Sequence, residues 1–419
     1  MRTGLRFFYR HIYVTGMEHI PSKGPVIIIA NHPSSLMDAA LLGILLKRKP
    51  WFFTRGDVFI NRPVQKVLSW FHMIPVHQHE KGRSSLGAND DSFAAAQKIL
   101  SNNGIIVFFP ESTSHVEHQL WPFRKGVFRL AFQTMAAHDF SLQLPIVPIG
   151  ITYDHPTAGR KSVQVHIGAA LQAADYASLY QSNPAAARLH IVKDAQDLMT
   201  GHVLHVLRSD RCEVVVQSLL IDNNNQAANR AGAGWKIASR EKLEREQDIC
   251  YRINKASEAD LAGIKQRTAV YFNALATYGI GDGSISSRFS FSRWKMILLW
   301  VGYPVFLAGV VLNAFPVFVA RRIADKKVSR IDFYTWIFTV CYTVLYVIWA
   351  LLLTAGCWLL FGWQYALILA ILAPLTGLFS YRYMDWRAEA RQYNKLKRLS
   401  ARQLSVLKKI RKEIDVLIS

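Results

Sequence analysis

Two long uncharged segments near the C-terminus constrain the fold of this chain more than any other feature. Residues 296–320 and 333–381 contain no Asp, Glu, Lys or Arg. A membrane-spanning helix needs about 20 predominantly apolar residues, so the two segments together are long enough for three crossings. We therefore predict a membrane region with C-terminal transmembrane helices at residues 293–381.

The distribution of basic residues argues against three straight crossings. Five basic residues lie within residues 321–332, and residues 382–419 contain eleven basic and four acidic residues. Because basic segments tend to stay on the cytoplasmic side, we expect a two-crossing hairpin at residues 333–381, with residues 296–320 re-entrant or broken in the interface. A single kinked crossing of residues 296–320 is the alternative. The first segment contains five potential helix-breaking positions: Gly302, Pro304, Gly309, Asn313 and Pro316.

The net charge of +21 and the pI near 9.9 require an anionic partner. Nucleic acid, phosphate-bearing substrates and anionic membrane are the three candidates, and the long apolar segments favour the membrane. The chain has no motif that combines aromatic and basic residues for RNA binding, so we expect no nucleic-acid partner. The four cysteines show no paired metal-binding spacing, and we predict no metal site.

The N-terminal half has the pattern of an α/β fold. From residue 26 to about residue 216, short apolar runs alternate with helical patterns, which indicates a layered architecture around a largely buried sheet. The predicted strands are Val26–Ala30, Trp51–Thr54, Ile105–Phe109, Ile146–Thr152, Val163–Ile167 and Glu213–Leu219. The predicted helices are Asp90–Leu100, Phe123–Ala137 and Pro184–Arg208.

Composition divides the chain into four parts. Residues 1–220 form the α/β domain and begin with a short interfacial helix, in which apolar residues up to Tyr13 are mixed with arginines. Residues 221–292 contain a polar loop and a charged helical linker, and the membrane region follows. Residues 382–419 are predicted to form a basic amphipathic helix, which lies either on anionic lipid or in a short coiled coil.

The segment NHPSSLMD, residues 31–38, offers the residues for proton transfer. It follows the apolar run Val26–Ala30 and places His32 and Asp38 on the turn that leaves a predicted strand. A histidine and a carboxylate at such a turn can form a general base and its orienting partner, which together take a proton from a hydroxyl. The side chains of Ser34 and Ser35 could cap the helix that follows.

Three further segments follow in order, each beside a predicted strand: GDVFINR at Gly56–Arg62, FFPESTSH at Phe108–His115 and PIVPIGITYD at Pro145–Asp154. Together with NHPSSLMD, they resemble the PlsC-like glycerolipid acyltransferases of the lysophosphatidate and glycerol-3-phosphate acyltransferase superfamily, across roughly residues 12–220. The resemblance implies a mostly buried mixed sheet flanked by helices. It also implies that His32 is the general base and that Asp38 orients it.

The spacing between these two residues departs from the commonest family pattern. Five residues separate His32 from Asp38, whereas most members have four. The five-residue form resembles a branch that includes glycerol-3-phosphate and dihydroxyacetone-phosphate acyltransferases. The identity of the acceptor therefore stays open at this point.

The resemblance also implies a set of substrate-binding residues. Arg62 would bind the acceptor phosphate, because a planar guanidinium can hold two phosphate oxygens. Lys125, in the downstream segment FRKG, would be a second phosphate contact, and Pro148 would lie beside the acyl-binding region. Glu111 would orient the acceptor hydroxyl or hold its loop by accepting backbone hydrogen bonds. The remaining predicted residues are Ser112, which stands where glycine is usual, and the retained Thr113.

One departure concerns the residue after Thr113. Ser114 replaces an arginine that most members carry, which removes one expected phosphate donor; His115, Arg124 or Lys125 could compensate.

The function implied is a membrane-bound acyltransferase of phospholipid biosynthesis with its catalytic domain on the cytoplasmic face. It would transfer a fatty acyl group from acyl-CoA or acyl carrier protein to 1-acylglycerol 3-phosphate (lysophosphatidate) or glycerol 3-phosphate, with no cofactor besides the thioester co-substrate. Two alternatives are an acyltransferase for a lipid acceptor without phosphate and a catalytically silent lipid-binding membrane protein. The sequence leaves the oligomeric state open.

Overall fold

The computed structural model describes residues 9, 11–55, 62–76, 84–154, 162–226, 234–237, 240–286, 291–328 and 331–418. The chain divides into two compact units. The first comprises residues 1–209 and 232–250, and the second comprises residues 210–231 and 251–419. Residues 210–220, which the sequence assigned to the α/β domain, therefore belong to the second unit.

A nine-stranded mixed sheet forms the centre of the first unit within the described residues. The strands are β1 (His11–Thr15), β2 (Val26–Ala30), β3 (Pro50–Arg55), β4 (Met73–Val76), β5 (Ile105–Phe108), β6 (Pro145–Tyr153), β7 (Ser162–Ile167), β8 (Leu171–Gln172) and β9 (Gly234–Ile237). Their order in the sheet is β4-β3-β5-β2-β6-β7-β1-β9, and the short β8 pairs with β6. All pairs are parallel except β6 with β7 and β6 with β8. The predicted mixed sheet is confirmed.

Helices flank this sheet and bury its central strands. All five residues of β2 are buried, as expected for an apolar strand in the interior of a parallel sheet. Phe128, Phe132 and Met135 of one flanking helix contribute to the core beside Ile27. The helices are α1 (Leu36–Leu45), α2 (Arg62–Trp70), α3 (Ser84–Ser101), α4 (Gly126–Ala136), α5 (Ala177–Ser182), α6 (Pro184–Thr200) and α8 (Arg240–Lys255).

Two predictions at the edges of the α/β domain are wrong. The predicted strand Glu213–Leu219 is part of helix α7, Cys212–Asn225. Its buried residues Val214, Val215, Ser218, Leu219, Ile221 and Asp222 follow the spacing of a helix face, although the valine run favours a strand locally.

The predicted interfacial helix is also wrong where the structure describes it. Residues 11–15 form strand β1, in which Ile12 and Tyr13 are buried. Residues 1–8 and 10 lie outside the described residues. In the predicted polar loop 222–234, residues 222–225 continue α7 and Gly234 begins β9, while residues 227–233 lie outside the described range.

The described part of the second unit is helical. Three of its helices are long and apolar enough to cross a membrane by length and composition. These candidate spans are Tyr303–Lys327, Trp336–Phe361 and Trp363–Lys397. The helices of this unit are α7, α9 (Glu258–Tyr278), α10 (Asp282–Ile285), α11 (Arg293–Val301), α12 (Tyr303–Lys327), α13 (Ile331–Phe361), α14 (Trp363–Lys397) and α15 (Ala401–Ile418).

The first apolar segment is helical with one break, at Gly302, and its path relative to a membrane stays a prediction. From Tyr303 it forms one helix of 25 residues that continues through Pro316. Asn313, interpreted as a helix breaker, donates from Nδ2 to the carbonyl oxygen of Ala373 on α14 at 3.0 Å. A Cβ atom on Gly309 would lie 2.2 Å from the Oγ of Ser380. Small and polar residues in this segment therefore serve close helix packing, a use that such residues commonly have in membranes.

The chain enters and leaves this helical region at the same end. Lys295, before α12, forms an ion pair with Glu389 near the end of α14. Lys395 donates from Nζ to the carbonyl oxygen of Gly279 at 2.8 Å. Within the apolar part, Ser380 of α14 donates from Oγ to the carbonyl oxygen of Phe306 of α12 at 2.9 Å, whereas Asn313, further along α12, bonds to the earlier residue Ala373. Helices α12 and α14 are therefore antiparallel.

One apolar face of the tail helix α15 packs inside the protein. Leu407, Ile414 and Ile418 are buried in a core shared with residues of α7, α9 and α10. This buried face packs against α7 and α9, while Val406 and Leu417 remain exposed, and the placement of the tail helix on lipid or in a coiled coil stays a prediction. Its basic residues Lys408 and Lys409 remain exposed.

Candidate active site

The predicted site segments follow strands that end at one edge of the sheet. β2 pairs in parallel with β5 and β6, and β3 pairs in parallel with β5, so the C-terminal ends of these four strands share an edge. Residues 31–38 follow β2, Glu111 follows β5 and Tyr153 ends β6. In open α/β sheets, ligands bind beyond the carboxyl ends of the strands. The topology therefore gathers the site from segments distant in sequence.

His32 and Asp38 form a hydrogen-bonded pair. The Nδ1 of His32 lies 2.9 Å from the Oδ2 of Asp38. The Asp38 side chain is completely buried, whereas the His32 side chain is 18% exposed. Because Asp38 holds Nδ1, the other ring nitrogen, Nε2, is the one left to take a proton from a substrate. The imidazole also stacks on the ring of Phe109 with a centroid distance of 3.9 Å.

The turn between the two residues depends on the Asp38 carboxylate. Its Oδ2 also accepts a hydrogen bond from the backbone N–H of Ser34 at 2.8 Å. Ser35, with φ of 49°, stands in the N-cap position of α1, but its side chain makes no capping hydrogen bond. The prediction that Ser35 caps the helix is therefore wrong. Asp38 instead fixes the turn and the imidazole with the same oxygen.

Asn31 fixes the first residue of this turn to the neighbouring strand. Its Nδ2 donates to the carbonyl oxygen of Ile151 at 2.9 Å, and its Oδ1 accepts from the N–H of Ile151 at 2.7 Å. Sequence reasoning missed this residue, although a polar side chain directly after a buried apolar strand was visible in the sequence. It joins the turn to β6 through two backbone atoms.

Glu111 holds the loop that follows β5. Its Oε1 accepts from the N–H of His32 and its Oε2 accepts from the N–H of Trp121, each at 3.0 Å. Burial raises the pKa of Glu111 to about 7, and the two backbone hydrogen bonds oppose that rise. Of its two predicted roles, the structure supports loop holding, because both carboxyl oxygens already have backbone partners.

Ser112 and Thr113 are both exposed in this loop. Ser112 has φ of 65° and its N–H donates to the carbonyl oxygen of Phe109 at 3.1 Å. Glycine adopts this left-handed conformation readily, which accounts for the usual glycine at this position of the motif. Contacts of Ser112 and Thr113 with a substrate stay predictions.

The two predicted phosphate contacts, Arg62 and Lys125, are separate from the hydrogen-bonded pair of His32 and Asp38, hereafter called the dyad. Arg62 is exposed at the start of α2, and the six residues before it, 56–61, lie outside the described residues. Lys125 is exposed immediately before α4, in a segment tied to the β5 loop because Arg124 N–H donates to the carbonyl oxygen of Pro110 at 2.8 Å. As far as the described residues extend, neither cation makes a hydrogen bond to the dyad.

Pro148 lies within the sheet. It is buried in β6, opposite Ile29 of β2. A contact between Pro148 and an acyl chain stays a prediction.

Comparisons with known proteins found similar sequences for part of this chain. Residues 11–152 match the model of the Acyltransferase family. The 1-acyl-sn-glycerol-3-phosphate acyltransferase BAT2 of Brassica napus chloroplasts is 26% identical over 137 residues, covering 32% of this chain and 36% of that protein. The 1-acyl-sn-glycerol-3-phosphate acyltransferase alpha of Homo sapiens is 25% identical over 138 residues, covering 33% of this chain and 44% of that protein.

A solved structure, the 1-acyl-sn-glycerophosphate acyltransferase PlsC from Thermotoga maritima, is also similar, with 18% identity and a TM-score of 0.32. That alignment covers 45% of this chain and 71% of the PlsC chain. The aligned part spans between about a third and a half of the length of the curated relatives. The family match and these relatives place the similarity to acyltransferases within the first part of the chain, with the family model matching residues 11–152.

Proposed function

We propose that this protein is a membrane-bound acyltransferase that acylates the free hydroxyl of 1-acylglycerol 3-phosphate, with acyl-CoA or acyl carrier protein as the donor. The observation that carries the proposal is the His32–Asp38 pair, which has one buried carboxylate and one partly exposed imidazole. The names of the curated relatives support the monoacylated acceptor. Glycerol 3-phosphate is the second acceptor to test, because the five-residue spacing resembles that branch.

The dyad supplies the proton transfer that the reaction needs. The Nε2 of His32 removes the proton of the acceptor hydroxyl, and the oxygen attacks the thioester carbonyl to form a tetrahedral intermediate. Collapse of this intermediate forms the ester and breaks the C–S bond. The imidazolium then returns its proton to the departing thiolate. Asp38 stabilises the imidazolium and keeps the ring in the orientation that points Nε2 at the substrate.

In this proposal, Arg62 and Lys125 bind the acceptor phosphate. Both are exposed cations in segments that follow strands of the site edge. Ser114, at the position of a usual family arginine, is buried, and this favours an acceptor without phosphate as the competing hypothesis. Turnover with a non-phosphate lipid and none with lysophosphatidate would support that competitor.

The decisive experiment uses the purified full-length protein in detergent or lipid. A labelled acyl-CoA and acyl carrier protein are each tested with glycerol 3-phosphate, lysophosphatidate and a monoacylglycerol. We expect transfer to lysophosphatidate, and a loss of about 10²- to 10⁴-fold in His32→Ala, the range for a missing general base. The matched control is His190→Ala, which changes an exposed histidine on α6. Full turnover in His32→Ala would reject the mechanism.

We also propose that the segments flanking the membrane region face the cytoplasm, where the thioester donors are. The antiparallel packing of α12 and α14 favours an even number of crossings. Single cysteines at the exposed positions Asn273 and Ser405, in a background without the native cysteines, test this arrangement. Both should react with an impermeant maleimide only after the cells are opened. Labelling of the two positions from opposite sides would contradict the proposal.

A further inference from the structure

The Asp38 carboxylate accepts a third hydrogen bond, from a residue on a strand that is distant in sequence. While Oδ2 receives His32 and the Ser34 N–H, Oδ1 accepts a hydrogen bond from the hydroxyl of Tyr153 at 2.6 Å. Tyr153 is only 1% exposed, so this hydrogen bond forms away from water. Both oxygens of the buried carboxylate therefore have hydrogen-bond donors, as a buried charge requires.

The position of the Tyr153 hydroxyl is fixed by the sheet and by a second tyrosine. Tyr153 is the last residue of β6 and pairs with Val163 of β7. The ring of Tyr9 stacks on its ring with a centroid distance of 5.7 Å. Burial, followed by the nearby Asp38 charge, raises the pKa of Tyr153 well above its ordinary value, so the hydroxyl remains a protonated donor.

We propose that Tyr153 is a positioning residue for acyl transfer: its hydroxyl holds the Asp38 carboxylate so that Oδ2 faces the Nδ1 of His32. This inference rests on the proposed function, because it assigns His32 as the general base. Tyr153 lies one residue beyond the matched family region and more than a hundred positions from Asp38 in the chain. The side-by-side, parallel pairing of β2 with β6 brings the two together at one edge of the sheet.

The consequence of losing the hydroxyl follows from the geometry. Oδ1 would become a buried oxygen without its tyrosine donor, and the carboxylate could rotate away from the imidazole. Hydrogen bonds to charged groups are strong enough for a loss of about 10- to 100-fold in kcat. The KM values for donor and acceptor should change by less than about twofold, because a buried side chain behind the dyad contacts neither substrate.

The test is Tyr153→Phe, which removes the hydroxyl and keeps the ring that packs against Tyr9. The matched control is Tyr271→Phe in the second unit, where a tyrosine hydroxyl also donates to a buried aspartate, Asp282, at 2.6 Å. Tyr271→Phe should reduce thermal stability and leave kcat unchanged. A loss of kcat in Tyr153→Phe with an unchanged KM supports the proposal. Wild-type kcat, or a change confined to KM, would overturn it.

A double-mutant cycle separates positioning from general stability. If Tyr153 acts through Asp38, then Tyr153→Phe should cause no further loss of kcat in an Asp38→Asn background. An equal loss in both backgrounds would mean that Tyr153 acts independently of Asp38, and the proposal would be wrong.

A spectroscopic readout keeps the inference testable without turnover. In protein with ¹⁵N-labelled histidine, the Nδ1–H signal of His32 is assigned as the NMR signal that is absent from the spectrum of His32→Ala. Tyr153→Phe should shift this signal and Tyr271→Phe should not, whether or not any acyl transfer is detected. A signal that is unchanged in Tyr153→Phe would overturn the positioning role. A shifted signal in a protein that transfers no acyl group would instead reject the proposed function alone.

Discussion

The catalytic turn of the first unit and the helical core of the second contain the same arrangement of a buried aspartate. In the turn, Asp38 accepts from Tyr153 and pairs with His32. In the helical core, Asp282 accepts from Tyr271 at 2.6 Å and pairs with Arg411 at 2.8 Å. Each carboxylate thus has a tyrosine donor and a basic partner. The difference lies in the basic residue.

Arg411 is a permanent cation that is nearly buried, and its guanidinium is enclosed by Asp282 and by Asn225. It cannot exchange a proton with a substrate, because arginine stays protonated in proteins. A histidine side chain can both accept and release a proton, and the His32 side chain is 18% exposed. A buried aspartate with a tyrosine donor therefore indicates a site only when its basic partner can both reach a ligand and release a proton.

The backbone differs between the two clusters as well. Ser35 and Ser112, in the two loops of the catalytic edge, have φ of 49° and 65°. Among the described residues of the second unit, positive φ occurs only at Gly279 and Gly362. Non-glycine residues in this region cost free energy and are concentrated at functional sites. Positive φ also occurs elsewhere in the first unit, at His72, Asn103, Asp139 and Phe140, so this strain distinguishes the two clusters but is not confined to the catalytic edge.

The same substitution should affect the two aspartates differently. We expect Asp38→Asn to lower kcat by about 10²- to 10⁴-fold, because the imidazole loses the charge that holds and stabilises it. Asp282→Asn should leave kcat unchanged and lower the free energy of unfolding by about 3–5 kcal/mol, because the buried Arg411 loses the carboxylate that is hydrogen-bonded to its guanidinium. Steady-state acyl transfer and denaturant unfolding of both variants provide the measurements. Loss of activity in Asp282→Asn at full stability would contradict the distinction.

The sequence predicted the elements that depend on short patterns. The run Val26–Ala30 reads as a buried strand because all its residues are apolar, and the pairing of His32 with Asp38 needs only the turn after it. Tyr153 could not be predicted in the same way. Its contact with Asp38 depends on the pairing of β2 with β6, and no local pattern specifies that pairing. The strand prediction for Glu213–Leu219 failed for a related reason. Packing of α7 on α9 and α15 overrides the strand preference of its valines.

The stability of the catalytic edge should depend on pH through Glu111. The pKa of Glu111 is raised to about 7 in the folded protein, above its ordinary value of 4.5, so the folded state binds more protons between these pH values. Stability should therefore fall as the pH rises from 4.5 to about 7, by on the order of 3 kcal/mol at 1.36 kcal/mol per pKa unit. Unfolding midpoints across this range provide the measurement.

Glu111→Gln should remove this part of the slope, because glutamine does not ionise. Glu117→Gln, which changes an exposed glutamate six positions along the same loop, is the control and should keep the wild-type slope. Parallel slopes for Glu111→Gln and the wild type would show that the loop does not carry a carboxyl with a raised pKa.

The smallest expected effect tests whether the catalytic edge is strained. Ser112→Gly should raise the free energy of unfolding by about 1 kcal/mol, because glycine relieves the left-handed backbone at φ of 65°. Thr113→Gly is the matched control at the exposed neighbouring position, whose φ is not positive; it should be destabilising, because glycine only adds freedom to the unfolded chain. Thermal unfolding of both variants in one detergent gives the comparison. If Ser112→Gly destabilises the protein as much as Thr113→Gly, the loop after β5 stores no strain, and the backbone difference between the two clusters loses its functional meaning.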